Sequence, residues 1–361
     1  WMLCIADDAS SDPHVLKLLA EYAENEPRIR LTQRERNGHI VEASNSALAL
    51  ASGDFIVLLD HDDTLATHAL WSVAEALQTT PDAQIIYSDE DKLDLHGHRC
   101  EPFFKPDWSM DLLRSQNYIS HLGVYRRDLV TAVGGFRSGF DGSQDYDLLL
   151  RCVAAIEDER QIVHIPHILY HWRMSENSAA TDSNNKSYAT EAARRALQEQ
   201  ADAAKTGASV SVIANGLYRH HWPLPEQRPL VSLLIPTRDK LELIRTCIRS
   251  ILDKTTYTHF EILILDNGSV QPETLSFFDA IQKEDKRVKV LQWDHPFNYS
   301  AINNFGATQA KGEVLGLINN DVEVISPDWL SEMVSHTMRR EIGCVGAKLY
   351  YKDGTIQHAG I

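Results

Sequence analysis

The sequence predicts an α/β protein in which one unit of alternating strands and helices occurs twice. Three observations predict it. Short apolar runs alternate with amphipathic helical runs, the pattern of a mostly parallel sheet covered on both sides. Phe55-Ile56-Val57-Leu58-Leu59 is a continuous apolar run, expected as a fully buried strand, and Asp60, Asp62 and Asp63 follow where it ends. Asp7 recurs as Asp266, 259 residues later, and the same gapless offset pairs Ile5 with Ile264, Ser10 with Ser269, Pro13 with Pro272, Arg28 with Arg287, Asn45 with Asn304, Gly53 with Gly312, Leu58 with Leu317 and Asp62 with Asp321. A period this long means duplicated domains rather than a solenoid.

Taken in order, Leu3 to Ala6 read as a strand ending in Asp7-Asp8. Pro13 to Ala23 reads as an amphipathic helix with Val15, Leu18, Leu19 and Tyr22 on one face. Ile29 to Thr32 is a short strand, and Val41 to Ala51 an Ala-rich helix broken by Gly53 before the central strand. Thr67 to Gln78 reads as a helix with Leu70, Val73, Ala74 and Leu77 inward, followed by a strand at Gln84 to Tyr87. Tyr146 to Val153 is a helix that Asp145 would cap. Lys186 to Ala204 reads as a helical linker, Val210 to Tyr218 as a small hairpin, and Pro223, Pro225 and Pro229 mark a boundary.

In the second copy a strand, Leu230 to Ile235, and a helix reaching about Leu252 precede the Asp266 strand. The matching positions of the first copy fall before residue 1, and the second copy stops before the counterpart of the first copy's later half. The expected organisation is therefore a fragment of a longer chain: a first domain at 1–182 without its N-terminal strand and helix, a linker at 183–227, and a second domain at 228–361 without its C-terminal half.

Composition narrows the function. The 361 residues carry 51 acidic against 35 basic side chains, a formal net charge of −16 that argues against nucleic-acid backbones as partners. Cys4, Cys100, Cys152, Cys247 and Cys344 are an odd number with no C-x-x-C pair, which reads as a reducing, cytoplasmic setting without structural zinc. No apolar run is long enough to span a bilayer, though association at the inner face of a membrane is compatible with the sequence. Ligands of open α/β sheets bind at the carboxyl ends of strands. Carboxylates crowded there repel one another unless a cation sits among them, and Mg²⁺ or Mn²⁺ shared with substrate phosphates answers that need. A solvated acidic turn is the alternative reading of the same residues.

With the repeat in hand, the chain resembles family 2 glycosyltransferases of the GT-A fold, in particular tandem-domain, rhamnosyltransferase-like enzymes of bacterial surface polysaccharide synthesis. The resemblance rests on Ile5-Ala6-Asp7-Asp8-Ala9-Ser10-Ser11-Asp12, the D-x-D of Asp60 and Asp62, Gly142-Ser143-Gln144-Asp145-Tyr146-Asp147-Leu148, and His171-Trp172-Arg173. It implies an inverting, metal-dependent transfer from a nucleotide-diphosphate sugar donor to a glycan or lipid-linked glycan acceptor. By resemblance Asp62 ligates Mn²⁺ or Mg²⁺, Asp60 serves the ribose or a metal-bound water, and His171 is the third ligand; a packed core histidine is the alternative for His171. Asp145 matches the family's general base, with Gln144 in place of the commoner Glu. Asp8 matches the residue that accepts from the nucleotide base, and Asp266 and Asp321 are donor-binding candidates of the second copy. Arg173 and Ser178 are candidates to close over the diphosphate. Ser88-Asp89-Glu90-Asp91 and the Phe103 to Trp108 segment suit either acceptor binding or an exposed hairpin. The second copy reads Asn319 where the first has Asp60, so a non-catalytic, glycan-binding second module is a competing reading. A nucleotidyltransferase shares the nucleotide-plus-metal logic but would want a Gly-rich loop and a Lys near the first strand, where only Arg238 stands.

Overall fold

The computed structural model describes residues 1–174 and 187–360 and divides the chain into two compact units, Trp1–His221 and Trp222–Ile361. In the first unit, β1 (Leu3–Asp7), α1 (Pro13–Asn25), β2 (Ile29–Gln33), α2 (His39–Leu50) and β3 (Phe55–Val57) follow in order. After them come β4 (Thr64–Leu65), α3 (Ala69–Thr79), β5 (Ile85–Leu93), β6 (Arg99–Phe103), α4 (Met110–Ser115) and β7 (Gly123–Arg126). The unit closes with α5 (Arg127–Ala132), α6 (Gln144–Ala154), β8 (Ile162–Arg173), α7 (Ser187–Ala203), β9 (Ser209–Ala214) and β10 (Leu217–His221). Its main sheet has six strands in the order β3-β7-β5-β8-β4, with β6 on β5. Only β5 and β8 run parallel; β7 lies antiparallel to both β3 and β5, and β4 antiparallel to β8. The expected mostly parallel sheet is thus mixed here, because β7 returns next to β5 by way of the β6 hairpin and α4, not by a crossover.

The second unit carries β11 (Val231–Thr237), α8 (Leu241–Lys254), β12 (Phe260–Asp266), α9 (Pro272–Glu284), β13 (Val288–Gln292), α10 (Tyr299–Gln309), β14 (Val314–Leu317), α11 (Trp329–Thr337), β15 (Leu349–Tyr350) and β16 (Ile356–His358). Its four-stranded sheet, β13-β12-β11-β14, is parallel throughout. Apart from the two-residue β4, the element order from β1 to α3 recurs from β12 to α11. Helix α1 and α9 begin at the paired prolines Pro13 and Pro272, whose fixed φ suits a first helical turn. The pairing Leu3↔Ile29 of β1 and β2 becomes Ile262↔Val288 of β12 and β13.

Three local expectations are corrected. The Phe55 to Leu59 run is not a fully buried strand: β3 stops at Val57, its residues are half-buried, and Leu59 is exposed. The segment expected as a linker is part of the first unit's core. Ala192, Ala193, Ala196 and Leu197 form one buried face of α7, and these small side chains let the helix lie close to α6. Val210 and Tyr218 of the β9–β10 hairpin join the same core, so the first unit extends to His221. Leu70 points outward, and Ala69, Ser72 and Val73 form the buried stripe of α3.

Candidate active site

Residues of β1, α2, β3, β4, α3, α6 and β8 meet around one cavity of about 650 Å³ whose lining includes Asp60, Ser120, His121, Gln144, Asp145 and Trp172. Asp60 arrives on the turn after β3. That turn is locked by Tyr170 of β8, whose hydroxyl donates to Asp63 at 2.7 Å and accepts from the Asp60 amide at 3.2 Å. Asp63 also accepts from the Arg173 amide at 2.7 Å, which leaves Asp60 and Asp62 as the outward-facing carboxylates of the cluster.

His121 stands beside Asp60, with Nε2 3.6 Å from its carboxylate. The ring is stacked on Tyr170 at 4.5 Å and set edgewise to Trp172 at 4.9 Å. The hydrogen-bonding and charge of His121 hold the Asp60 carboxyl below the usual carboxylate range, against a smaller opposing effect of burial. Burial works to lower the basicity of His121. The bond to Asp60, its charge, and the charges of Asp145 and Glu90 outweigh that, and the imidazole titrates above its ordinary value.

Asp145 lies in the first turn of α6, inside the helix rather than capping it; the cap position belongs to Ser143. Burial raises the Asp145 carboxyl above its ordinary value, and the nearby His121 charge, two backbone amides and the Asn117 side chain only partly offset that. Asn117 Nδ2 donates to Asp145 Oδ2 at 2.9 Å. A carboxylate desolvated in this way, yet oriented by a donor, suits the removal of a proton from a hydroxyl near neutral pH. Asp147, two residues on, is fully occupied by Arg137 and Arg151 and belongs to the core.

The segment that carries Asn117 and His121 is held by Lys105, a buried member of the Phe103 to Trp108 segment. Its Nζ is 2.9 Å from Glu90 Oε2 and donates to the Ile119 carbonyl at 2.5 Å and to the His121 carbonyl. Burial lowers the Lys105 ammonium from its usual value, with Glu90 and Asp89 opposing. The 88–91 segment is therefore no exposed hairpin. Asp89 binds His164 Nε2 at 2.9 Å and the Lys105 amide at 2.9 Å, and Asp91 pairs with His171 Nδ1 and with Arg99 Nε at 2.5 Å.

That pairing bears on the metal expectation. A carboxylate on Nδ1 fixes the imidazole ring and leaves Nε2 for an ion, the usual second contact of a ligating histidine. Among the described residues, however, no three His, Cys, Asp or Glu side chains stand close enough to hold an ion by themselves. Asp60, Asp62 and His171 carry oxygen and imidazole donors of the kind Mn²⁺ or Mg²⁺ accepts, but they are not gathered into a preformed cage.

Asp8 and Arg173 are not among the residues that line the cavity. Asp8 is engaged by Arg34 Nε at 2.9 Å and by the Gly38 amide at 3.0 Å. Arg173 is exposed at the end of β8, and Ser178 lies outside the described residues. Asp266 is buried and closes the turn after β12 by accepting from the Ser269 amide at 3.0 Å and its hydroxyl at 2.5 Å; it is the repeat partner of Asp7, not of Asp8. Asp321 is exposed on the turn after β14, beside Asn320, whose amide donates to Thr237 at 2.9 Å. At the cavity itself, His121 Nδ1, Gln144 Oε1 and Trp172 Nε1 are buried without a protein partner, a mixed set of donor and acceptor groups that hydroxyls could satisfy.

Acidic side chains after a strand and a separate carboxylate oriented by Asn117 thus line one cavity of an α/β unit. The model of the family described as "Glycosyl transferase family 2" matches residues 1–134 and 232–359, and the chain belongs to that family. It is 53% identical over its whole length to the uncharacterized protein y4gI of Sinorhizobium fredii, covering 40% of that protein. It is 45% identical over its whole length to the O-antigen biosynthesis protein RfbC of Myxococcus xanthus, covering 28% of it. The chain thus spans less than half the length of these relatives. Among solved structures, TarS of S. aureus in complex with UDP-GlcNAc is similar at 16% identity and a TM-score of 0.42, over 54% of this chain and 56% of that one.

Proposed function

We propose that the chain is the catalytic part of a metal-dependent, inverting glycosyltransferase, which moves a sugar from a nucleotide-diphosphate donor to a growing bacterial surface polysaccharide at the cytoplasmic side of the membrane. One observation carries this reading: Asp60 at a strand end and Asp145 at a helix start line the same cavity, with His121 between their charges. Family membership and the printed role of the Myxococcus relative support the polysaccharide. Asp145, held by Asn117, takes the proton of the acceptor hydroxyl as that oxygen attacks the anomeric carbon opposite the leaving diphosphate. Asp60 and Asp62, with His171, would hold Mn²⁺ or Mg²⁺, which when bound neutralises the diphosphate charge as a Lewis acid. The orphaned groups of His121, Gln144 and Trp172 are suited to sugar hydroxyls. No described helix is long and apolar enough to cross a membrane.

The same reading makes the chain two tandem GT-A modules. Asn319 in place of Asp60 favours a second module that binds glycan without catalysing transfer. The deciding experiment is a screen of nucleotide sugars against the full-length protein, reading nucleoside diphosphate release with and without Mn²⁺. Release from no donor under either condition overturns the proposal.

Two outcomes follow. Because no three donors are gathered, ion affinity is expected to depend on nucleotide. Calorimetry should find Mn²⁺ binding weak alone, tight with a nucleoside diphosphate, and lost in Asp62→Ala while the circular dichroism of the variant is unchanged. Because burial raises the Asp145 carboxyl, the acid limb of the rate profile is expected above the ordinary carboxylate range. The base works only when ionised, so any change that disfavours its charge moves the limb upward. Asn117→Ala removes a bond that favours the charged form, and a kcat profile measured from pH 4 to 8 should show the limb shifted to higher pH. An unmoved limb would remove Asn117 from the site.

A further inference from the structure

We propose that Phe103 is the platform of an acceptor subsite, on which a pyranose ring of the accepting glycan lies while its hydroxyl reaches Asp145. This rests on the glycosyltransferase reading above and adds the residue that recognises the acceptor. Phe103 is the last residue of β6 and pairs with Glu90 of β5. Residues paired across antiparallel strands present their side chains on one face of the sheet. Glu90 directs its carboxylate to the His121 amide at 3.2 Å and to the Lys105 ammonium at 2.9 Å. Phe103 therefore stands on the face that carries the His121 segment, and Lys105 Nζ is 5.8 Å from its ring centroid. Lys105 in turn donates to the Ile119 and His121 carbonyls, and Asn117 of the same segment donates to Asp145. The ring and the base carboxylate are thus tied to one short segment.

The strand order puts this ring away from the carboxylates suited to the diphosphate. On the rung through Glu90, Phe103 of β6 is one neighbour and Tyr170 of β8 the other. Tyr170 is the residue that locks the Asp60 turn through its hydroxyl. Two strand spacings put the Phe103 and Tyr170 backbones roughly 10 Å apart, which leaves width for a sugar ring. His121 stacks on Tyr170, and Trp172 stands edgewise to it. His121 Nδ1 and Trp172 Nε1 are buried without a protein partner. These polar atoms suit the hydroxyls of a pyranose, and the aromatic face suits its C–H side, so the two chemistries of one sugar ring are both provided for.

A simpler role for Phe103 is to shield the Lys105–Glu90 pair from water. The Lys105 side chain is 0% exposed and that of Glu90 12%, while Phe103 itself is 39% exposed. Shielding needs bulk, which a leucine supplies as well, and an ammonium at 5.8 Å is near the outer limit for attraction to a ring. What an aromatic side chain adds is a flat face of partial negative charge, and the C–H bonds of a pyranose present the opposite charge. Phe104, the next residue, is 68% exposed and by strand alternation turns to the other face, so it serves as the control. Phe104 and the exposed Leu95 of the β5–β6 turn would suit a lipid surface too, but Phe103 faces the His121 segment, and that favours the sugar.

The test is saturation-transfer NMR with the methyl glycosides of D-glucose, D-galactose, D-mannose and L-rhamnose, read on the unaltered chain and its variants. At least one glycoside is expected to bind, and Phe103→Leu is expected to weaken it by about 3- to 10-fold, the range of an aromatic contact beyond its area. Phe103→Trp should restore binding, and Phe104→Leu should leave it unchanged. No binding of any glycoside at tens of millimolar, equal binding by Phe103→Leu, or an equal loss in Phe104→Leu overturns the proposal. So does displacement of the glycoside by UDP, GDP or dTDP with Mn²⁺, because the ring would then serve the donor. Loss of sedimentation with phosphatidylethanolamine–phosphatidylglycerol vesicles in Phe103→Leu, with glycoside binding intact, assigns the ring to lipid and overturns it as well. If Phe103→Leu fails to fold by circular dichroism, the ring protons of Phe103 are followed in the unaltered chain. Their shift on glycoside addition supports the platform, and unmoved resonances overturn it. No turnover is read, so failure here leaves the catalytic reading standing. A failed nucleotide-sugar screen with glycoside binding intact overturns the catalytic reading alone and leaves a sugar site without transfer.

Discussion

Asp145→Asn in the full-length protein is expected to cut transfer by about 10²–10⁴-fold, the usual contribution of a general base, while donor affinity stays unchanged. The asymmetry follows from position. Asp145 faces the cavity from the first turn of α6, and the carboxylates suited to the diphosphate are Asp60 and Asp62, on another element. The substitution is mild for the fold. Ser143, not Asp145, occupies the cap position, and the new amide oxygen can still accept from Asn117. Removing a buried charge even relieves the desolvation that raises the carboxyl. Opposing this are the lost attraction to His121 and the lost first-turn anion, the latter at about 0.3–1 kcal/mol. An active second module would mask the effect, so the comparison is made in an Asp321→Ala background. Transfer by the double variant at the rate of Asp321→Ala alone would show that Asp145 is a helix-turn residue and no base.

How much of this was legible in the sequence depended on whether local pattern or distant packing decided each feature. The repeat was legible because a gapless register survives in single residues, and the structure reproduces it at the level of paired strands. Asp60, Asp62 and Asp145 can be proposed from the sequence because each stands in a short run of polar residues at an element boundary. The position of Asp145 within its helix was not, since Ser143 and Asp145 are both good caps and only the chain path chooses. Lys105 and Asp91 act through partners far along the chain, Ile119 and His171, and a lone Lys or Asp carries no mark of that. The α7 segment looked like a linker because its buried face is mostly alanine, a weak apolar signal that becomes a close helix contact only beside α6. The half-buried state of β3 was not legible either: a continuous apolar run predicts burial on both faces, and this strand lines the cavity.

The contrast between two neighbouring aspartates gives the largest expected effect on stability. Asp147→Ala should destabilise the first unit by about 3–5 kcal/mol, the range for breaking a buried ion pair by removing one partner. Asp147 is 1% exposed and serves two guanidinium groups: Arg151 donates to Oδ2 through Nε at 3.0 Å and Nη2 at 2.8 Å, and Arg137 Nε reaches it at 3.2 Å. The loss belongs near the lower end of the range. Arg137 is more than a third exposed and keeps Glu199 at 2.9 Å, and Arg151 keeps the Val133 and Gly135 carbonyls at 2.6 and 2.7 Å. What remains is a largely buried Arg151 charge with no anion. Its carbonyl partners hold the Gly134–Gly135 turn that Asn45 clamps to α2 through the Phe136 backbone, so the disturbance reaches the wall of the cavity. Urea unfolding followed by circular dichroism should show a lower midpoint, and activity at low temperature should fall far less than in Asp145→Asn. A midpoint unchanged within error would mean that the two arginines find other anions, and the assignment of Asp147 to the core would fail.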